Sequence, residues 1–206
     1  MADVKTLLVT GFGPFPGWER NPTPAMVQAV ARARLPGIRV VPHVFNTVYT
    51  EVERDLPRLI DLAKPDAVLL FGLAGRTGHL RIERHAHNVT TRRVPDASGV
   101  FHVRPDIADG EPYRKSTGFR TLALTETLRQ AGLNARLSDS AGQYLCNFSY
   151  WHALEAVAAG RTARALFVHV PLPLRSGPSA RGDFTRRLTE ADLADAAVIA
   201  ASAIMA

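Results

Sequence analysis

The chain has 206 residues, of which 46% are hydrophobic and 21% are charged. This composition, without long charge blocks or low-complexity runs, excludes a disordered chain and fits a single domain over residues 1–206. The formal net charge is +6, from 25 Lys and Arg against 19 Asp and Glu, but the cations are scattered, so we do not expect nucleic-acid binding. The N-terminus lacks a signal-peptide pattern, and the most apolar stretch, residues 193–206, is shorter than a membrane span. We therefore expect a cytoplasmic protein that does not bind a membrane.

Short apolar runs alternate with helical patterns along the chain. In chain order, the first half is predicted to contain a strand at Thr6–Thr10, a helix with Thr23 as its N-cap that stops at Pro36-Gly37, a strand at Arg39–Phe45, a helix from Thr50 to Ala63 and a strand at Ala67–Phe71. The second half is predicted to contain a helix at Thr117–Gln130, a strand at Ala135–Ser138, a helix at Asn147–Ala159, a strand at Arg164–Val170 and a C-terminal helix from Thr189. Strands that alternate with helices imply parallel strands joined by helical crossovers. The predicted fold class is therefore α/β, with one domain packed as helix, sheet and helix.

Two helix starts carry a capping-box signal. Thr50 with Glu53 marks the second helix, and Thr189 with Asp192 marks the last one. Pro57 lies inside the second helical pattern and, because a proline removes one helical hydrogen bond, we expect it to disturb that helix.

Residues 72 to 112 form the least regular part of the sequence, with strand character only at His79–Asn88 and Gly99–Val103. Glu83, His85 and His87 alternate within the first of these segments, so on one strand they would share a face. Their carboxylate and imidazole groups are suitable metal ligands. The alternative is a solvated polar face, which we favour, so no metal site is predicted.

Reactive side chains lie at strand ends, where open α/β sheets carry their sites. Cys146, the single cysteine, stands at the start of the helix that begins near Asn147. The helix dipole and free backbone N–H groups there favour a thiolate and can hold an oxyanion. His169 ends an apolar strand and is a candidate general base, and Glu83 could orient its imidazole. The alternatives are a small buried cysteine and a histidine satisfied within the core.

Four segments, in this order, resemble those of the pyrrolidone-carboxylate peptidase (pyroglutamyl peptidase I) family of cysteine peptidases. They are the opening Thr10–Phe15 with Asn21-Pro22-Thr23, the glutamate segment 72–88, the cysteine segment Ser138–Asn147 and the histidine segment Val168–Pro171. The resemblance covers about residues 5–175, and its cysteine segment and opening are the most specific parts.

The resemblance implies a peptidase that removes an N-terminal pyroglutamyl (5-oxoprolyl) residue from small peptides with a blocked N-terminus. It implies an α/β/α sandwich around an open, twisted, mostly parallel sheet, no cofactor, and a homo-oligomer that is usually a tetramer. Carried over residue by residue, Cys146 is the nucleophile, His169 is the general base and acid, and Glu83 positions His169.

The resemblance also implies a pyroglutamyl pocket. The positions that match its lining are Phe12, Phe15, Val94, Tyr144 and Leu145. Asn21 and Arg93 match polar positions near the reacting centre.

Three residues depart from the family pattern. Leu73 stands where the family typically has glutamine near the pocket, Arg81 replaces a small hydroxyl residue, and His85 replaces an aliphatic one. Because the loss of one polar partner can change which substrate a site accepts, a related cysteine hydrolase acting on another amide or blocked substrate is an alternative. A catalytically weak binding homologue is a second alternative, against which the intact Cys146, His169 and Glu83 argue.

Overall fold

A six-stranded sheet runs through the middle of the molecule, which is described by a computed structural model over residues 4–174, 182–185 and 187–206. The strands are β1 Lys5–Phe12, β2 Ile38–Phe45, β3 Ala67–Leu73, β4 Leu80–Glu83, β5 His85–His87, β6 Arg114–Ser116, β7 Ala135–Ser138 and β8 Arg164–Val170. The helices are α1 Thr23–Arg32, α2 Tyr49–Ala63, α3 Thr121–Gln130, α4 Leu145–Ala158 and α5 Glu190–Met205. Strands β5 and β6 form a separate antiparallel pair.

The strand order in the large sheet is β2-β1-β3-β8-β4-β7. Strand β4 runs antiparallel to β8, whereas the other ladders of this sheet are parallel. Together with helices on both faces, this confirms the predicted α/β class and the mostly parallel sheet. None of the helices in the described ranges combines the length and apolarity that a bilayer span requires.

Alternate residues of each central strand contribute to two different hydrophobic cores. Leu7 and Val9 of β1 pack with α1, α3 and α5 on one face, and Leu8 packs with α2 and α4 on the other. All seven residues of β3 are buried. A strand covered on both faces reads as a continuous apolar run rather than an alternating one, which is why the central strands are clear in the sequence.

The predicted helices and central strands are present, with shifted starts. Helix α3 begins at Thr121 rather than Thr117, and α4 begins at Leu145 rather than Asn147. The capping box of α5 is formed, because Thr189 accepts a hydrogen bond from the backbone of Asp192 and the Asp192 carboxylate accepts one in return.

Two predicted caps are wrong because other parts of the chain supply the partners. Thr23 lies inside α1, and its hydroxyl donates to the Phe12 carbonyl (3.0 Å) and accepts from the Phe12 amide (2.9 Å). Helix α2 starts at Tyr49 without a side-chain bond from Thr50. The amide of Tyr49 instead donates to the carboxylate of Asp96, 3.1 Å away.

The irregular region differs most from its prediction. The predicted strand at His79–Asn88 is two strands, β4 and β5, separated at Arg84, and Gly99–Val103 contains no strand. Strand β6 was not predicted, because its residues are polar and it forms only by pairing with β5. Helix α2 continues through Pro57 without interruption, contrary to the expected disturbance.

Candidate active site

Three neighbouring strands bring the candidate catalytic residues together. His169 of β8 is paired with Gly72 of β3 on one side and with Arg81 of the antiparallel β4 on the other. Residues directly opposite each other in an antiparallel ladder share a face of the sheet, as do residues two apart on one strand. The side chain of Glu83, two residues after Arg81, therefore reaches the same region as His169, and Gly72 leaves room above the sheet.

A buried hydrogen bond joins Glu83 and His169. The distance from His169 Nδ1 to Glu83 Oε1 is 2.8 Å, and both side chains are almost completely buried. The carboxylate fixes the orientation of the imidazole ring, as the acidic member of a catalytic triad does. Because Nδ1 is engaged by Glu83, Nε2 is the ring nitrogen that remains for Cys146, the other side chain that raises the pKa of His169.

The surroundings of His169 favour its protonated form. Burial lowers the pKa of His169, but the charge and hydrogen bond of Cys146 and those of Glu83 outweigh burial and raise the pKa to about 9. An imidazolium beside a sulfur stabilises the thiolate, which is the nucleophilic form of cysteine.

Cys146, the candidate nucleophile, lies in the first turn of α4. Leu145, Cys146 and Asn147 precede the first helical hydrogen bond, which runs from the Phe148 amide to the Tyr144 carbonyl (3.0 Å). Their backbone N–H groups belong to the set that a helix start leaves without partners inside the helix. Such groups can stabilise the negative oxygen that develops when a carbonyl is attacked.

Asn147 ties this helix start to β5. Its side-chain oxygen accepts from the His87 amide (2.8 Å), and its side-chain nitrogen donates to the carbonyls of His87 (2.7 Å) and Val89 (2.9 Å). Asn147 was part of the cysteine segment in the sequence but had no predicted role. It is completely buried, and its three hydrogen bonds join the start of α4 to β5 and Val89.

A cavity of about 450 Å³ opens beside the sulfur. Of the residues predicted for the site, those that line it are Phe12, Phe15, Asn21, Leu73, Tyr144, Leu145, Cys146 and His169. Aromatic and aliphatic walls with a few polar groups are typical of pockets for small, mostly apolar ligands. Glu83 is not among the lining residues and contacts the site through His169.

The structure does not bring Arg93 and Val94 into this cavity. Both side chains are exposed, Val94 by 41%. Their loop is fixed by its backbone, because the Tyr144 hydroxyl donates to the Pro95 carbonyl (2.9 Å) and the Thr91 amide donates to the Gln143 carbonyl (2.6 Å). These contacts leave the side chains of residues 93 and 94 on the solvent side, so the placement expected from the resemblance stays a prediction.

Trp18 lines the cavity but was not predicted to do so. Its ring packs on Gly75, where a Cβ atom would lie 2.0 Å from Trp18 Cζ3. The available signal was the glycine at position 75, since a close approach of a ring to the backbone requires a residue without a side chain.

Asn21 lines the cavity and also shapes it. Its side-chain nitrogen donates to the Gly13 carbonyl (3.0 Å), and its oxygen accepts from the Thr23 amide (3.1 Å) and lies 2.9 Å from the Thr23 hydroxyl oxygen. The residue therefore fixes the loop that follows Phe12 and carries Phe15.

The metal alternative does not match the geometry. Glu83 contacts His169, whereas His85 lies on the separate strand β5 with its Nδ1 2.9 Å from Ser116 Oγ. Within the described parts of the chain, no group of three or more His, Cys, Asp and Glu side chains could hold a metal ion.

The comparisons with known proteins point to one family. The sequence profile described as "Pyroglutamyl peptidase" matches residues 5–176. The chain is 34% identical to the pyrrolidone-carboxylate peptidase of Thermococcus kodakarensis over 80% of each protein, and 32% identical to that of Escherichia fergusonii over 98% of each.

Solved structures agree with the sequence matches. The pyrrolidone carboxyl peptidase of Thermococcus litoralis has a TM-score of 0.86 at 27% identity, covering 98% of this chain and 94% of that one. The enzyme of Pyrococcus furiosus has a TM-score of 0.88 at 26% identity, covering 97% and 98%. The chain therefore belongs to the pyroglutamyl peptidase I family, whose members are cysteine peptidases that remove N-terminal pyroglutamate.

Proposed function

We propose that Cys146, His169 and Glu83 hydrolyse the bond between an N-terminal pyroglutamyl residue and the rest of a peptide. The observation that carries this proposal is the buried Glu83–His169 hydrogen bond beside a mostly apolar cavity that both His169 and Cys146 line. A nucleophile, a base and a residue that orients the base are the three parts that acyl transfer requires.

In the first step, the Cys146 thiolate attacks the carbonyl carbon of the scissile amide, and the resulting oxyanion accepts hydrogen bonds from the start of α4. The C–N bond then breaks, the imidazolium of His169 donates its proton to the leaving amine, and a pyroglutamyl thioester remains on Cys146. In the second step, His169 takes a proton from a water molecule that attacks the thioester. Pyroglutamic acid is released, and the protonated imidazole and the thiolate are restored.

The cavity suits a flat lactam ring. Phe12 and Phe15 line the cavity with apolar surface for the ring, and we expect backbone groups of the lining residues around Leu73 and Tyr144 to bond to its N–H and C=O. A free N-terminal amine would bring a charge into this mostly apolar space at a cost in desolvation. This favours peptides with a blocked N-terminus as substrates.

One observation favours a second candidate, another amide with a blocked acyl group. Leu73 lines the cavity and is only 7% exposed, and it cannot form the hydrogen bonds of the glutamine typical of the family. The cysteine chemistry would be the same, and only the acyl group would differ.

We further propose that the protein acts in the cytoplasm as a homo-oligomer, a tetramer by family resemblance. A reducing compartment suits a thiol nucleophile, since it keeps the sulfur from oxidising. Val100, Phe101 and Val103 supply exposed apolar surface of the kind found in subunit contacts. Light scattering would determine the oligomeric state.

The test of the reaction is the release of a chromogenic amine from a pyroglutamyl amide, measured beside an acetylalanyl and a prolyl amide. We expect turnover of the pyroglutamyl amide that iodoacetamide abolishes and that the matched variant Cys146→Ala lacks. Turnover of the acetylalanyl amide alone would favour the second candidate. A folded sample that turns over none of these amides would contradict the proposed function.

A further inference from the structure

Arg81 contacts the carboxylate of the candidate triad. Arg81 Nε lies 3.2 Å from Glu83 Oε1, the oxygen that also accepts from His169 Nδ1 at 2.8 Å. Arg81 is paired directly with His169 across the β4–β8 ladder, lines the same cavity, and has a side chain that is 27% exposed. It is also one of the positions at which this chain departs from the family pattern.

Arg81 also contacts the segment that leads to the nucleophile. Its Nη2 donates to Ser138 Oγ (2.8 Å) and to the Ser140 carbonyl (2.7 Å). Ser138 ends β7, and residues 139–144 connect it to the helix of Cys146. One planar guanidinium therefore contacts both the Glu83 carboxylate and the segment that leads to Cys146. Its several fixed donors permit this geometry, which a single ammonium group does not.

We propose that Arg81 is a positioning residue, which fixes Glu83 relative to His169 and fixes the 138–140 loop relative to Cys146. The proposal deepens the proposed function and rests on the triad assigned there. It concerns the alignment of the reacting groups, since Arg81 acts on Cys146 only through Glu83, His169 and the loop.

The charges around Glu83 support this role. The carboxylate is fully buried, and its second oxygen, Oε2, has no hydrogen-bond partner within the described residues. The other titratable groups that face the Glu83–His169 pair are Cys146 and Tyr150 of α4 and His87 of β5. These three groups are titratable, whereas Arg81 is permanently charged. A cation in contact with a buried carboxylate offsets the cost of its desolvation.

A permanent cation also has a predictable effect on His169. It repels a proton on the neighbouring imidazole, so its removal makes His169 hold its proton to higher pH. Loss of folded protein would lower the reactive fraction at every pH, whereas loss of this charge moves the titration to higher pH.

The primary test is the pH profile of Cys146 alkylation by iodoacetamide, because Cys146 is the single cysteine of the chain and alkylation requires no substrate. The variants are Arg81→Met, Arg81→Lys and Arg81→Ala, with Arg136→Met as the matched control. Arg136 is exposed and is the β7 partner of Arg81 in the parallel ladder. Turnover of the pyroglutamyl amide is measured in the same series.

We expect the alkaline step of the Arg81→Met profile to move to higher pH, while that of Arg136→Met stays with the wild type. We expect kcat of Arg81→Met to fall by about tenfold to a hundredfold with a smaller change in KM, as for a misplacement of reacting groups. Arg81→Lys should recover part of the loss, and added guanidinium ion should partly restore Arg81→Ala.

An unchanged alkylation profile in Arg81→Met would overturn the proposal. So would a loss of kcat that neither lysine nor guanidinium restores and that follows the loss of folded protein. If the wild type is alkylated with the expected profile but does not turn over the pyroglutamyl amide, the proposed substrate fails, and the alkylation series still decides the role of Arg81.

Discussion

Cys146 Sγ lies directly over the backbone of Gly72: a Cβ atom at position 72 would lie 2.7 Å from the sulfur and 2.6 Å from Phe167 Cζ. Both distances are shorter than real Cβ atoms show, so a side chain at this position would displace a neighbour. Phe167 is fully buried in the core. The sulfur is the group with room to move, because it faces the cavity.

Gly72→Ala should therefore reduce activity by displacing the nucleophile. We expect kcat to fall by about a hundredfold, as for a displacement of about 1 Å in a reacting atom, and the melting temperature to fall as well. The matched control is Gly118→Ala, where a Cβ would meet nothing within 4 Å. Wild-type kcat in Gly72→Ala would show that the sulfur does not react from the observed position.

Glu83→Gln should shift the pH dependence of activity. Glu83 raises the pKa of His169 by its charge and its hydrogen bond, so its replacement by a neutral amide lowers that pKa. The wild-type rate should decline as pH rises through about 9, and the decline in Glu83→Gln should occur at lower pH.

The same variant should lower kcat by about tenfold to a hundredfold, less than His169→Ala, which removes the base itself. The kcat/KM profile, recorded from pH 5 to about 10 to bracket the ordinary His value, tests both statements. An alkaline limb that is identical in the wild type and Glu83→Gln would remove Glu83 from the triad.

Leu73→Gln should improve turnover of pyroglutamyl amides. The glutamine would restore a hydrogen-bonding side chain to the cavity wall, and a site that pairs the polar groups of its substrate discriminates strongly. We expect kcat/KM to rise by about tenfold, on the order of one good hydrogen bond. Leu73→Met, of similar volume but without hydrogen-bonding groups, is the control and should show no gain. Equal rates for the two variants would indicate that residue 73 does not contact the lactam.

Thr189→Ala should destabilise the protein without affecting the site. The variant removes one half of the capping box of α5, and the loss of an N-cap side chain costs about 1 kcal/mol. Urea denaturation measures the free energy of unfolding. Thr127→Ala is the control, because Thr127 is exposed and within α3. A loss no larger than that of the control would argue against the observed cap.

The features predicted well from the sequence are those with local causes. The buried runs of β3 and β8 are continuous because helices cover both faces of the sheet, and this pattern is visible without any partner. Strand β6 depends instead on pairing with β5, some thirty residues earlier. The start of α2 depends on Asp96, which follows Tyr49 by 47 residues. The residues of β6 and of the start of α2 carry no local pattern that would indicate these distant partners.

The residues of the candidate site also divide into those that the local sequence indicated and those that depend on distant pairing. Cys146 at a helix start and His169 at a strand end are positions that topology brings together, and the sequence indicated both. Glu83 reaches His169 only because β4 is antiparallel to β8, and this exception to the parallel sheet could not be predicted from the strand pattern. Arg93 and Val94 were expected near the pocket, but contacts of the loop backbone with Tyr144 keep their side chains exposed.

The most direct measurement is the mass of the enzyme after rapid mixing with excess pyroglutamyl amide and quenching in acid. We expect a transient species heavier by one pyroglutamyl group, with the added mass on the peptide that contains Cys146 and absent from Cys146→Ala. Turnover of the amide without any acylated species in the wild type, or with full rate in Cys146→Ala, would contradict it.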